Sequence, residues 1–503
     1  MPANPAFDLR LWNVRGQGRS RTSCASRHLH IPVQWPLLQD LIEAIALSRF
    51  RHLAPIESKR SITGPVRRRR RWARVVFGGL LLYAVSAAAA EYPRLLRFIS
   101  DSSPNRGLVC YGLVVDDTDG MPVRVFNLGS MEKGFCTQDR DSPEPVERLR
   151  RALDAAAVAW GAREWSEGDL EILPAATRSR RIAPPVVVTQ AEIDERRKFI
   201  IGAGLNYSDH RAEVGADNAD PEGLLLFPKA VAPTGPYAPV RAGARIGASP
   251  PQRVRLLDYE VELGFVLLAD VDLDNPPDDA ARFLEDVAFF VANDVSDREP
   301  IFLDNVHGFT LGKSRPTYLP IGPWLVHGRF LAPRTAREGE RALGIELRVS
   351  KEDASSSLRQ GDTTASMIRG PWEIVSILSA RFRRGEVICM RDAKGQPRYL
   401  HDERGIVPAG SLVITGTPGG TAVKAPDLAE KLWLFAKSGF SEDAARRALV
   451  ARVHGEAGAL GYLEPGDRVD VWIERLGRQR WRVQDAPPEA VYGVAASADC
   501  RDA

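Results

Sequence analysis

One stretch constrains this chain more than any other: Leu257-Asp258-Tyr259-Glu260-Val261-Glu262-Leu263-Gly264-Phe265-Val266-Leu267. Polar and apolar residues alternate along it, the pattern of a β-strand with one buried face. Residues two apart on a strand point the same way, so Asp258, Glu260 and Glu262 share a face and Tyr259, Val261 and Leu263 take the other. Neighbouring glutamates on a buried sheet repel each other. A divalent cation is the simplest remedy, and carboxylate oxygens suit hard ions such as magnesium, manganese or calcium. By itself the stretch fits an edge strand with a wet polar face better than a metal site. The flanking material reverses that order.

At 503 residues the chain has room for two or three domains with a sizeable core. Its net charge of +3 is small, and the Arg-rich run before residue 75 inflates it, so no nucleic-acid partner is expected. The five cysteines lack metal-ligand spacing. A Cys110–Cys136 disulfide is compatible with an exported protein but is not required by the sequence. Residues 1–66, rich in Arg, Pro and Ser, read as a poorly ordered basic region. Residues 67–91 hold five consecutive arginines and then an apolar run from Val75 to a small-residue end at Ala87–Ala90. That is the layout of a secretory signal or membrane anchor, although it does not begin at the N-terminus. As a helix the run spans roughly 24 Å, short of a hydrocarbon core of roughly 30 Å. The protein is exported or membrane-anchored if this segment acts as a signal, with membrane contact through 75–90, and cytoplasmic otherwise.

Residues 92–195 read as a small β-rich N-terminal domain and linker. Strands are expected at Arg94–Phe98, Leu108–Val115 and Val123–Leu128, a helix from Pro145 to Ala155, and a boundary over 178–195. Chemistry begins in the segment that follows. Lys198–Ala203 is an apolar strand entering a helix start that Asn206 or Ser208 can cap. His210 and Glu213, three apart, share a helix face, and a histidine beside a carboxylate suits a general base. Asp294 stands just past the apolar run Val287–Ala292, where a third oxygen ligand can join Glu260 and Glu262. Lys313 is placed in a loop after Gly312. Each feature alone is also compatible with a surface pair, a turn residue or a solvated lysine.

Taken in order, these pieces resemble the fumarylacetoacetate hydrolase family. The resemblance rests on Gly204-Leu205-Asn206-Tyr207-Ser208-Asp209-His210 with Glu213, Phe227-Pro228-Lys229, Asp258–Leu263, and Asn293-Asp294-Val295-Ser296-Asp297-Arg298-Glu299. It continues through Gly312-Lys313-Ser314, Arg359-Gln360-Gly361-Asp362, Thr415-Gly416-Thr417-Pro418-Gly419-Gly420 and Leu463–Val469. It implies a mostly β fold with some α, a β-roll catalytic domain over 196–490 with a smaller N-terminal β-rich domain and a tail over 491–503. It implies a divalent metal, Mg2+ or Mn2+ with Ca2+ admitted, on Glu260, Glu262 and Asp294. It makes His210, oriented by Glu213, the base that activates water, and Lys313 the group that stabilises developing charge. Arg298, Gly416 and Thr417 would bind a small keto-acid substrate, and the assembly would be a homodimer.

The reaction implied is hydrolysis of a C–C bond in a 2-keto or 1,3-diketo acid of the acylpyruvate or fumarylacetoacetate type. A keto-acid decarboxylase or isomerase on the same scaffold, and a non-catalytic keto-acid-binding protein, are the alternatives. Three departures from the family pattern bear on the substrate. Ile301 stands where relatives often have Gln, and Arg315-Pro316 follow the lysine motif. An insertion over about 421–462 reads as two helices, Leu428–Lys437 and Ser441–His454.

Overall fold

Short runs rich in Val, Leu and aromatic residues make the first strands, β1 (Leu95–Ile99), β2 (Val109–Thr118) and β3 (Met121–Asn127), followed by α1 (Val146–Ala162), β4 (Leu170–Ile172) and β5 (Ile182–Ala183). They form an antiparallel sheet in the order β4-β3-β2-β1-β5. Helix α1 outruns its expected end, because Leu149, Ala152, Leu153, Ala156 and Ala159 give it a continuous buried stripe. The 178–195 segment, read from sequence as a boundary, supplies β5 to this sheet. Cys110 faces Cys136 across β2 and a short strand, and the two form a disulfide. This computed structural model describes residues 92–216, 224–243, 253–304, 306–331, 342–351, 356–426 and 428–485. The expectations for 1–66, 67–91 and 491–503 lie outside the described residues.

The remaining elements are β6 (Ile200–Gly204), α2 (Ser208–Glu213), β7 (Leu225–Pro228), β8 (Val240–Ala242), β9 (Val261–Leu267), β10 (Val287–Asn293), α3 (Arg298–Leu303), α4 (Gly308–Lys313), β11 (Val326–His327), β12 (Gly344–Ser350), β13 (Ser357–Thr363), β14 (Leu412–Ile414), α5 (Leu428–Lys437), α6 (Glu442–Leu460), β15 (Arg468–Ile473) and β16 (Gly477–Asp485). A central sheet runs β11-β10-β9-β14-β6-β7, and a second runs β13-β12-β15-β16-β8. Both are open, and each contains one parallel pair, β14 with β6 and β16 with β8.

Strands β9 and β10 are buried along their whole length, so both faces of the central sheet need cover. Val261, Leu263 and Phe265 pack with Ile345, Leu347, Val469 and Val471 of the second sheet. On the opposite side Val266, Ala288, Phe290 and Ala292 pack with Leu95, Leu113 and Phe126 of the N-terminal sheet. The continuous strand expected over Leu257–Leu267 is broken. Leu257–Asp258 pairs with Ser296–Asp297, and Tyr259 and Glu260 leave the ladder before β9 begins. At the break the Asp258 carboxylate accepts from the next backbone N–H at 2.9 Å, a local bond of the kind that competes with ladder pairing.

Gly264 on β9 sits opposite Phe290, whose ring would lie 2.3 Å from a Cβ placed there. Gly264→Ala should therefore destabilise the fold by about 1–3 kcal/mol through overpacking. The check is a lower urea midpoint with an unchanged slope.

Candidate functional site

The pairing of β9 with β10 brings the acidic residues together. Val261 lies opposite Asn293, and just beyond this pair the Asp294 N–H donates to the Glu260 carbonyl at 2.8 Å. The Glu262 side chain leaves β9 near that point. One carboxylate oxygen from each of Glu260, Glu262 and Asp294 lies within 4.8 Å of the others, and all three residues are buried. The three residues expected to hold a metal are thus brought together.

Three buried cations partly balance this charge. Lys313, the last residue of α4, donates its ammonium to Glu260 and, at 2.7 Å, to Asp294. It was expected in a loop; a short helix delivers it. Lys229, just past β7, donates to Asp294 Oδ1 at 2.5 Å and to the Lys313 carbonyl at 2.5 Å. Arg298, at the start of α3, spans Asp258 Oδ2 at 2.8 Å and Glu260 Oε1 at 2.5 Å. Burial works against the charge on Glu260, but Arg298, Lys313 and His210 outweigh it and hold the carboxyl well below its ordinary range. Burial also opposes the Lys313 charge, and Asp294 and Glu260 overcome it, raising that ammonium. Lys229 shifts down, through burial and the nearby Lys313, although Asp294 pulls the other way.

Glu262 is the carboxylate with least support. Burial first, then Asp294 and Glu260, push it well above the usual range, opposed by Lys313 and the Gly416 N–H that donates to Oε2 at 2.7 Å. Buried like charges with one carboxylate undercompensated, and donors that are all oxygen, fit a hard divalent ion.

The dyad sits on α2. Its N-cap is Tyr207, with no side-chain cap. Asn206, one of the two expected caps, instead ties loops together, donating to the Thr415 carbonyl at 2.7 Å and the Arg369 carbonyl at 2.8 Å. His210 Nδ1 lies 3.5 Å from Glu213 Oε2, and the ring is near enough to Glu260 to help lower it. Glu213 also accepts from the Gly420 N–H at 2.8 Å and lies 3.4 Å from Lys424 Nζ. Burial raises Glu213, but the His210 and Gly420 hydrogen bonds outweigh it, so its carboxyl is lowered. Gly420 adopts φ +102°, and a Cβ there would lie 1.9 Å from the Arg359 carbonyl oxygen, so only glycine makes this approach.

The residues expected on the substrate are engaged within the protein. Arg298 is committed to Asp258 and Glu260, and the Gly416 N–H to Glu262. The Thr417 hydroxyl donates to the Val261 carbonyl at 2.9 Å and accepts from Gln360 Nε2 at 2.7 Å. These residues orient the acidic cluster and anchor β9. Ile301 packs toward Gly312 of α4, beside Lys313. The insertion forms α5 and α6 as expected, with α6 running on to Leu460. It abuts α3, where His454 Nε2 lies 2.9 Å from Glu299 Oε2. Lys229 and Asp258 were not singled out as site residues. Lys229 follows a proline in an apolar run, and nothing in its own neighbourhood announces that it reaches Asp294, 65 positions away.

The family model described as fumarylacetoacetate (FAA) hydrolase C-terminal matches residues 199–484. The oxaloacetate tautomerase YisK of Bacillus subtilis (strain 168) is 27% identical over 327 residues, covering 65% of this chain and 89% of that protein. A Burkholderia multivorans protein named "Putative hydrolase" is 38% identical over 228 residues, 44% of this chain and 71% of its own length. Among solved structures, the fumarylacetoacetate hydrolase of psychrophilic Exiguobacterium antarcticum aligns with a TM-score of 0.47 at 22% identity, covering 78% of this chain and 100% of that one.

A raised Glu262 carboxyl means that a metal must displace a proton. Below that raised pKa, apparent affinity for Mg2+ or Mn2+ should climb with pH by up to about tenfold per unit, flattening once Glu262 is ionised. Titration calorimetry in buffers of different ionisation enthalpy should register the released proton, and Glu262→Gln should abolish it.

Proposed function

This chain belongs to the fumarylacetoacetate hydrolase family, and from that premise we propose that it hydrolyses a C–C bond in a 2-keto or 1,3-diketo acid of the acylpyruvate or fumarylacetoacetate type. The observation that carries this reading is the His210–Glu213 pair held beside the Glu260–Glu262–Asp294 cluster. A divalent ion on those three residues, Mg2+ or Mn2+ with Ca2+ admitted, would supply chelation of the substrate's oxygens and charge stabilisation. His210, its tautomer set by Glu213, takes a proton from water. The resulting hydroxide attacks the distal carbonyl carbon. The C–C bond then breaks and its electron pair leaves with the other fragment as an enolate. Lys313 faces that developing charge as a buried ammonium. Arg298 keeps Asp258 and Glu260 aligned, and the Gly416–Thr417 turn keeps Glu262 and β9 aligned. A homodimer, and export or membrane anchoring through residues 67–90, belong to this proposal.

A second reading follows from the B. subtilis relative: keto–enol tautomerisation of a 2-keto dicarboxylic acid. It needs the same enolate and a base that moves a proton between carbon and oxygen, but no attacking water.

Full-length protein stripped with chelator and restored with Mg2+ or Mn2+ should consume an acylpyruvate, followed by enol absorbance and product analysis. His210→Ala should lower kcat by about 10²–10⁴-fold, and Glu260→Ala should abolish metal-dependent turnover. Oxaloacetate enol that disappears with no fragments formed would replace the hydrolase reading with the tautomerase one. Tight binding of keto acid and metal without turnover would sink both.

A further inference from the structure

The insertion presents a surface that the acidic site does not use. Among the described side chains of α5, only Leu434 is buried, and Glu430 turns inward to Arg452 of α6. The rest of the helix faces outward and is largely apolar. Leu432 is 50% exposed, Trp433 57% and Phe435 38%, with Ala429 and Ala436 beside them. Phe440, just after the helix, is 56% exposed and meets Phe435 edge-on at 5.5 Å. A surface helix of a globular domain ordinarily turns such a stripe inward, and a contiguous exposed apolar patch marks an interaction site.

The fringe of the patch is cationic. Lys431 and Lys437 are exposed on α5, and Lys437 Nζ stands 4.5 Å from the centre of the Trp433 ring. Lys424 is exposed at the root of the insertion. Of the nearby acids, Glu430 pairs with Arg452 and Glu442 with Arg446, while Asp443 and Glu456 are exposed on α6 with Arg447. Trp and Phe on an apolar face, with lysines at its margin, is the composition of a helix that lies in a membrane interface. Among the described residues no helix is long and apolar enough to cross a membrane, so contact through this face would be peripheral.

We propose that α5 is a membrane-surface contact. Leu432, Trp433, Phe435 and Phe440 enter the headgroup region of a bilayer containing anionic lipid, and Lys431 and Lys437 meet its phosphates. The sequence supplies an independent reason for a bilayer to be near. The basic and apolar run over 67–90 has the layout of a segment that brings a chain to a membrane. The inference does not depend on the reaction proposed above, and its test does not use activity.

The probe is vesicles of phosphatidylglycerol and phosphatidylcholine whose acyl chains carry bromine, mixed with the full-length chain. The expected result is quenching of tryptophan fluorescence that Trp433→Phe removes and high salt weakens. Leu432→Ser/Phe435→Ser/Phe440→Ser and Lys431→Glu/Lys437→Glu keep the Trp433 reporter, alter exposed positions and should leave the melting temperature unchanged. Each should abolish the Trp433-dependent quenching, even where residues 67–90 keep the protein on the vesicle. Equal quenching of Trp433→Phe and wild type would overturn the proposal. So would a wild-type dimer in light scattering without lipid that the triple variant makes monomeric, since a second copy of the chain would then cover the face.

Discussion

Carboxylates buried at the end of an apolar strand pair set the terms for the rest of this structure. β9 and β10 are buried throughout, yet Asp258, Glu260, Glu262 and Asp294 crowd their edge with almost no exposure to solvent. Ions in such surroundings persist only when partners replace their hydration. Lys229, Lys313 and Arg298 do so, and each comes from a different element: the end of β7, the end of α4 and the start of α3. Four acids against three bases leave one carboxylate undercompensated, and Glu262 bears that imbalance as a raised affinity for protons. The same imbalance makes the place receptive to a divalent ion, so assembly of the core and preparation of the site are one event.

The acidic trio and the dyad were legible because their signals are local. Alternation marks Glu260 and Glu262, the apolar run before Asn293 places Asp294 at a strand end, and three-residue spacing pairs His210 with Glu213. What stayed hidden depends on contacts between distant positions. Lys229 reaches Asp294 and the Lys313 carbonyl only after β7 has joined the central sheet. Arg298 carries an ordinary motif, and nothing local says that its guanidinium is consumed by Asp258 and Glu260. The break after Asp258 was missed for a different reason. Pattern reports which faces are apolar, whereas at this interruption a side chain bonds the N–H of the next residue.

The two parts of the chain outside the acidic site have distinct relations to it. The N-terminal sheet covers the Val266–Phe290 face of the central strands, a face too apolar to leave in water. The insertion reaches the site's edges. Its root donates from the Ala425 N–H to the Glu213 carbonyl, and its second helix approaches α3 through Arg446 to the Phe302 carbonyl and His454 to Glu299.

The bonds to Glu213 have an evolutionary consequence. The carboxylate that orients His210 is held by Gly420 and Lys424, and these residues also begin the path to α5. Gene changes that lengthen, shorten or recompose the insertion therefore shift the seat of Glu213, and of His210 beside it, from outside the motif residues. Descendants of a common ancestor can keep every motif residue and still differ in how this pair is placed. Gly420 limits how far that drift can go, because a side chain there collides with the main chain of β13.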